Sequence, residues 1–290
     1  MSRYGTVELG GTKTSFGAGS SPDDLESAVT VATASPGETL GRVLEYFDGN
    51  DVEAVGIAAF GPVELRRDHP EYGRIKTTPK EGWSGVDIVG PIEAELGVGV
   101  GFDTDVNGAA LGEARWGAGR DLASLVYVTV GTGIGGGALI EGAPVHGLGH
   151  PEMGHITVRR HPADSYEGCC RLHGDCLEGL ASGPAIEGRF GGRGEDLSGG
   201  DLIDAVALEA FYLAQMMRDL IYTLAPQRIV LGGGVSRMPG LLEGVGEGLR
   251  DELAGYPGLP EHEAGFLVPP GLGRLSGLAG GLVLAEMALR

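Results

Sequence analysis

Two patterns of apolar positions alternate along the chain. Short apolar runs read as strands: Tyr4 to Leu9, VEAVGIAAF at 52–60, VGVGFD at 98–103, LVYVTV at 125–130 and RIVLGGGV at 228–235. Their length and their glycine or aspartate borders suit strands buried on both faces. Between them, apolar residues recur every three or four positions, the period of a helix. Such stretches run from Pro36 to about Phe47, over GVDIVGPIEAEL at 85–96, DVNGAALGEARWG at 105–117 and Asp201 to Leu224, and around 240–253 and 276–289. Ser35-Pro36-Gly37-Glu38 reads as a capping box with proline at the first helical position. Thr14 to Ala18 should return antiparallel from the turn GGT at 10–12, and GALIEG at 137–142 from the glycine turn after Val130.

The order repeats. Each half opens with strand, GGT or GTG turn, strand, and continues with alternating helices and strands, which predicts two related α/β domains with a cleft between them. The boundary falls near Gly117 to Asp121, giving a first domain over 1–117, joined by the C-terminal helix 276–289, and a second over 118–275. An irregular insert from His150 to Gly179 interrupts the second half and holds all three cysteines and four of the seven histidines.

Composition narrows the function classes. A net charge of −19, from 40 acids and 21 bases, argues against the basic face that a nucleic acid needs. No apolar run reaches membrane-span length, no secretory leader precedes Tyr4, and three cysteines do not make a disulfide framework, so a cytoplasmic protein with reduced thiols is expected. Glycine, 55 of 290 residues, far exceeds the usual ~7%. There are only three lysines, Lys13, Lys76 and Lys80.

Gly131-x-Gly133-x-x-Gly136 formally matches the dinucleotide fingerprint, with Glu152 about twenty residues on. That fingerprint needs a helix opening at its third glycine, and ALIEGAPVHG offers a strand and a turn. The better pairing is with LGGTKT at 9–14, since glycine hairpin turns let backbone N–H groups and threonine hydroxyls reach phosphate oxygens. The glycine turn closing RIVLGGGV suits a nucleoside. FDTDVNGAALGE sets Asp103 and Asp105 at a strand end and Asn107 where a helix begins. Helix capping suits one of these acids. Asp105 suits a general base that takes the proton of an acceptor hydroxyl during phosphoryl transfer.

Taken together, ELGGTK, IAAFGPVEL, YGRIKTTPKEGW, DTDVNGAALGE, VTVGTGIGGG, HPEMGH and CRLHGDCLEGLASGPAIE resemble, in order and over nearly the whole chain, the ROK family of repressors and sugar kinases. Within it they look most like the bacterial zinc-containing fructokinase branch. The resemblance implies a two-domain actin-like ATPase fold of the ribonuclease H-like class, with ATP and Mg2+ as cofactors and transfer of the γ-phosphate to a sugar hydroxyl. It implies nucleotide contacts from Gly10, Gly11, Thr12 and Lys13 in the first turn, from Gly131, Thr132 and Gly133 in the second, and from Gly232, Gly233 and Gly234 beside the adenosine. Glu8 stands where most of the wider family has Asp, a mark of the fructokinase branch. Asp105 matches the catalytic base, and Asn107, Glu152, His155 and Glu178 match residues that hold sugar hydroxyls. A homodimer is the family habit.

His155, Cys170, His173 and Cys176 supply two imidazoles and two thiols, with C-x2-H-x2-C forming a compact chelating turn. Such a set favours Zn2+, and four protein ligands make the site structural, which also matches the family. Cys169 should play no part, and His146, His150 and His161 read as ordinary surface residues. The expected activity is ATP-dependent phosphorylation of D-fructose to fructose 6-phosphate. The alternatives are mannose, glucose or an N-acetylhexosamine as substrate, or a sugar-sensing regulator, although the strand at Tyr4 leaves no room ahead of it for a helix-turn-helix.

Overall fold

The computed structural model describes residues 3–256 and 265–290, which form two compact units. One comprises the chain up to Asp121 together with Ala143–Pro151 and Gly271–Arg290; the other comprises Leu122–Gly142 and Glu152–Pro270.

In the first unit, β1 (Tyr4–Leu9) and β2 (Lys13–Gly19) form an antiparallel hairpin, extended by β3 (Val29–Ala32). On the other side of β1 lie β4 (Ala54–Ala59) and β5 (Gly99–Thr104), both parallel, for an order of β3-β2-β1-β4-β5. Every residue of β4 is buried, as a doubly covered parallel strand requires. Helices α1 (Pro36–Asp48) and α2 (Val89–Leu96) contribute Val43, Phe47, Val89 and Ile92 to a core with Val7, Leu9, Ile57, Val100 and Phe102 of the sheet.

Helix α3 (Asp105–Trp116) and the C-terminal helix (Ser276–Ala288) pack on each other, and the C-terminal helix also lies against β1, β4 and β5. This approach accounts for several of the glycines. A Cβ on Gly56 would sit 1.8 Å from the Gly281 carbonyl oxygen, and one on Gly280 would sit 1.7 Å from that of Gly108. Only backbone meeting backbone fits there. Glu113, fully buried on α3, accepts from the N–H groups of Ala118, Gly271 and Leu272 and from the Ser276 hydroxyl, at 2.7–3.0 Å. One carboxylate thus ties the end of α3 to the start of the C-terminal helix.

In the second unit, β6 (Leu125–Val130) and β7 (Ile134–Ile140) form an antiparallel hairpin. The strand Ile229–Gly232 runs parallel to β6, and Leu267–Val268 runs parallel to it in turn. Among the described residues four α-helices complete the unit: α4 (Leu177–Ala181), α5 (Gly183–Phe190), the long α6 (Gly199–Leu224) and α7 (Leu241–Leu253). Asp164 accepts a bidentate pair from Arg189, at 2.7 and 3.1 Å, and the Tyr212 hydroxyl at 2.6 Å, which anchors the insert to α5 and α6. Burial raises the Asp164 pKa, but the Arg189 and Tyr212 hydrogen bonds outweigh it and hold the carboxyl at about 2.

The sequence pattern needs four local corrections. Ser35 is the N-cap of α1, but its side chain makes no cap bond, so no capping box forms. Helix α2 begins at Val89 rather than 85, because residues 85–88 bond to 73–75 through Gly85 to Ile75, Ile75 to Val86 and Ile88 to Gly73. Strand β7 begins at Ile134, before the expected 137. The strand at 229 ends at Gly232, because Gly233 takes a φ of +95° and turns the chain. No helix among the described residues is long and apolar enough to cross a membrane.

Candidate active site and metal cluster

The first glycine turn joins β1 to β2. It closes through Gly10 N–H to the Lys13 carbonyl at 3.0 Å, and Thr33 clamps it. The Thr33 N–H donates to the Thr12 carbonyl (2.9 Å) and its hydroxyl donates to the Gly10 carbonyl (2.7 Å). The Thr33 carbonyl in turn accepts from Lys80 Nζ at 3.1 Å. A trans peptide points its N–H opposite to its C=O, so drawing the Gly10 carbonyl toward Thr33 turns the Gly11 N–H away from it. An anion approaching from that side would meet a donor. Glu8 lies one residue before Leu9 and the turn; burial pushes its carboxyl above the ordinary value, against the pull of Lys13.

The second turn, Gly131 to Gly133, joins β6 to β7. Gly131 N–H donates to the Gly133 carbonyl at 2.9 Å, and the Gly131 carbonyl accepts from Gly183 at the start of α5, at 2.7 Å. Glu178 of α4 accepts the Ile134 N–H at 3.0 Å. A Cβ on Gly133 would lie 2.6 Å from Glu178 Oε2, so a side chain there would require the carboxylate to shift. At the third turn a Cβ on Gly233 would lie 2.2 Å from the Val130 carbonyl oxygen, which brings Gly232–Gly234 against the end of β6.

Helix α3 opens at Asp105, and neither aspartate caps it. The cap is Thr104, whose side chain accepts the Asn107 N–H at 3.2 Å. Asp103 instead collects the Thr104 N–H (2.7 Å), Asn107 Nδ2 (2.8 Å) and His146 Nε2 (3.0 Å). Asp105 accepts the Val106 N–H at 2.9 Å.

In the insert, Glu152 precedes a short 3-10 turn, Met153–His155. His155, Cys170, His173 and Cys176 bring their donor atoms within 4.8 Å of one another. Nδ1 of His155 lies 3.7 Å from Cys170 Sγ and 3.5 Å from Cys176 Sγ, and His173 Nδ1 lies 3.8 Å from Cys170 Sγ. Bond lengths of about 2.3 Å to sulfur and about 2.0 Å to nitrogen around a tetrahedral ion put such neighbours about 3.5 Å apart. Burial pushes the Cys176 thiol up to about 11, an unfavourable setting for a thiolate that a cation would reverse. The Cys169 sulfur lies outside the cluster, 3.7 Å from the Ser182 hydroxyl.

Three histidines are more engaged than surface residues. His146 bonds Asp103, His150 Nε2 accepts the Val63 N–H at 3.1 Å, and the His161 ring packs edge-on against Phe211. The hydrogen bond to Asp103 raises the His146 pKa above its ordinary value, against partial burial. Thr33 and Lys80, which hold the first glycine turn, and His146, which bonds Asp103, are residues to which the motifs assigned no role. Lys80 is one of only three lysines and stands within YGRIKTTPKEGW, two sequence signals that pointed toward it.

The sequence profile of the ROK family matches residues 4–288. The chain belongs to the ROK family. It is 43% identical over 292 residues to a fructokinase of Zymomonas mobilis, with 98% of this chain and 97% of that one covered. It is 42% identical over 289 residues to a putative fructokinase of Bacillus subtilis, covering 99% and 96%. A ROK family glucokinase from Streptomyces griseus, solved with glucose and AMPPNP, superposes with a TM-score of 0.77 at 26% identity, covering 98% and 99%. The fold is therefore the actin-like ATPase fold of the ROK sugar kinases.

Proposed function

We infer that this protein transfers the γ-phosphate of ATP to the 6-hydroxyl of D-fructose, as a cytoplasmic enzyme. The observation that carries the inference is identity of 42–43% to fructokinases along nearly the full length of both chains. The local geometry supports it. The glycine turns carry the N–H donors and close backbone that a polyphosphate needs, held by Thr33 on one and by Glu178 and Gly183 on the other. Asp105, at the N-terminus of α3, is the base that accepts the proton of the attacking hydroxyl. Asn107, Glu152, His155 and Glu178 hold the other hydroxyls.

Mg2+ would enter with ATP and neutralise charge on its β- and γ-phosphates. Glu8, with Lys13 close by, is the carboxylate of the first hairpin suited to it. The Cys/His cluster fits a structural Zn2+ in donor type and spacing. Nδ1 of His155 faces the sulfurs, so the opposite ring nitrogen is left to meet a sugar hydroxyl. An ADP-release assay with fructose, mannose, glucose and N-acetylhexosamines tests the substrate. Fructose should give the highest kcat/KM; a higher value for any other hexose would reassign the enzyme to that sugar.

A further inference from the structure

The second glycine turn is gripped at both ends by one segment of the insert. The Gly131 carbonyl accepts the Gly183 N–H at 2.7 Å, and the Ile134 N–H donates to Glu178 Oε2 at 3.0 Å. Between these anchors Thr132 is exposed and Gly131 and Gly133 are half-buried, so the turn is open to a ligand. Glu178 and Gly183 are joined by the short helix α4 and by Ser182, whose N–H donates to the Glu178 carbonyl at 3.2 Å. A helix of five residues is not stable by itself, so its place depends on what fixes its ends.

The start of α4 belongs to the Cys/His cluster. Cys176 is its N-cap; the side chain makes no cap bond, and the sulfur lies 3.5 Å from His155 Nδ1. His155 in turn closes the 3-10 turn Met153–His155, which lies flat against β7. A Cβ on Gly154 would sit 1.9 Å from the Ile134 carbonyl oxygen, and one on Gly136 would sit 2.4 Å from Met153 Sδ. The Leu177 N–H donates to the Ile156 carbonyl at 2.9 Å and joins the two arms. Ile134 is thus held on its N–H by the arm of Cys176 and covered on its carbonyl by the arm of His155. Both arms end in ligands of one cluster, and all these residues lie in the second unit.

We propose that the Cys/His cluster, when it holds zinc, is the clamp that sets the second glycine turn for the phosphates of ATP. This rests on the sugar kinase inference above and gives the metal site a role toward the nucleotide, beyond closing the insert. The cluster touches no phosphate in this scheme. It acts through Glu178 and Gly154 on the Ile134 backbone, and so on the shape of residues 131–134.

The test compares zinc-loaded wild type, the same protein after dialysis against a chelator, the chelated protein with zinc returned, and Glu178→Ala. Amide hydrogen exchange is followed by NMR without nucleotide, and affinity for ATP with Mg2+ is measured by calorimetry. Zinc removal should speed exchange at Ile134 about ten- to hundredfold, the value of one hydrogen bond to a charged group, and leave Gly10 in the first turn unchanged. ATP should bind about three- to tenfold more weakly, and returned zinc should restore both values. Glu178→Ala should keep its zinc by elemental analysis yet exchange as fast at Ile134 as the chelated protein. An equal rise at Gly10 would overturn the proposal in favour of a metal that only holds the fold together. A slow Ile134 amide in the zinc-free protein or in Glu178→Ala, or ATP affinity indifferent to zinc, would also overturn it. Zinc-dependent exchange at Ile134 with no ATP binding in any form would instead contradict the kinase inference alone.

Discussion

Replacing Gly133 with alanine probes how the second glycine turn is held. The added Cβ would lie 2.6 Å from Glu178 Oε2 and 3.4 Å from its carboxyl carbon, so the carboxylate must leave its position 3.0 Å from the Ile134 N–H. A hydrogen bond to a charged group contributes about 1.5–3 kcal/mol. Gly→Ala returns about 0.4–1 kcal/mol by narrowing the unfolded ensemble, because the φ of Gly133 is not in the left-handed region. The net loss is about 0.5–2.6 kcal/mol, which lowers the Tm of a domain of this size by about 1–10 °C. Displacing Glu178 should also raise the KM for the sugar. Gly131→Ala is the stability control, since its Cβ would meet nothing nearer than the Gly234 nitrogen at 4.0 Å. Differential scanning fluorimetry and steady-state kinetics measure both effects. A Gly133→Ala protein with the Tm and sugar KM of wild type would refute the link between Glu178 and the hairpin.

Three further outcomes are expected. Purified wild type and Cys169→Ala should each carry about one zinc per chain by elemental analysis, while Cys176→Ala should lose it and bind sugar more weakly. Asp164, held at about 2 against an ordinary 3.8, contributes about 2 kcal/mol that is fully present above pH 3.8 and lost as pH falls through 2; acid unfolding followed by circular dichroism should lose that slope in Arg189→Met. Thr33→Val removes the hydroxyl that holds the Gly10 carbonyl and should raise the KM for ATP about three- to tenfold with that for sugar unchanged, as read from initial rates at varied ATP.

The sequence made legible what is local. The hairpins around Gly10–Thr12 and Gly131–Gly133 follow from apolar runs interrupted by glycine. The Cys170-x2-His173-x2-Cys176 turn is a chelating spacing over seven residues, and His155 joins it in space. The start of α2 is not legible, because GVDI at 85–88 carries a helical apolar pattern but bonds to 73–75, a partner that periodicity does not reveal. Glu113 reads as one polar position of a helix, yet it takes backbone donors 158 and 159 residues away. Thr33 and His146 belong to no motif, and the motif that contains Lys80 assigns it no role. Each acts on a segment 20 to 47 residues distant, which only the folded chain brings into reach.

The most direct measurement incubates the purified protein with ATP, Mg2+ and fructose and identifies the product by 31P and 13C NMR, with Asp105→Asn as the matched variant. Wild type should give ADP and fructose 6-phosphate, and Asp105→Asn should bind both substrates yet turn over roughly 10²–10⁴ times more slowly. Phosphate on another hydroxyl, no phosphorylated sugar at all, or turnover by Asp105→Asn within a few fold of wild type would contradict a fructose 6-kinase with Asp105 as its base.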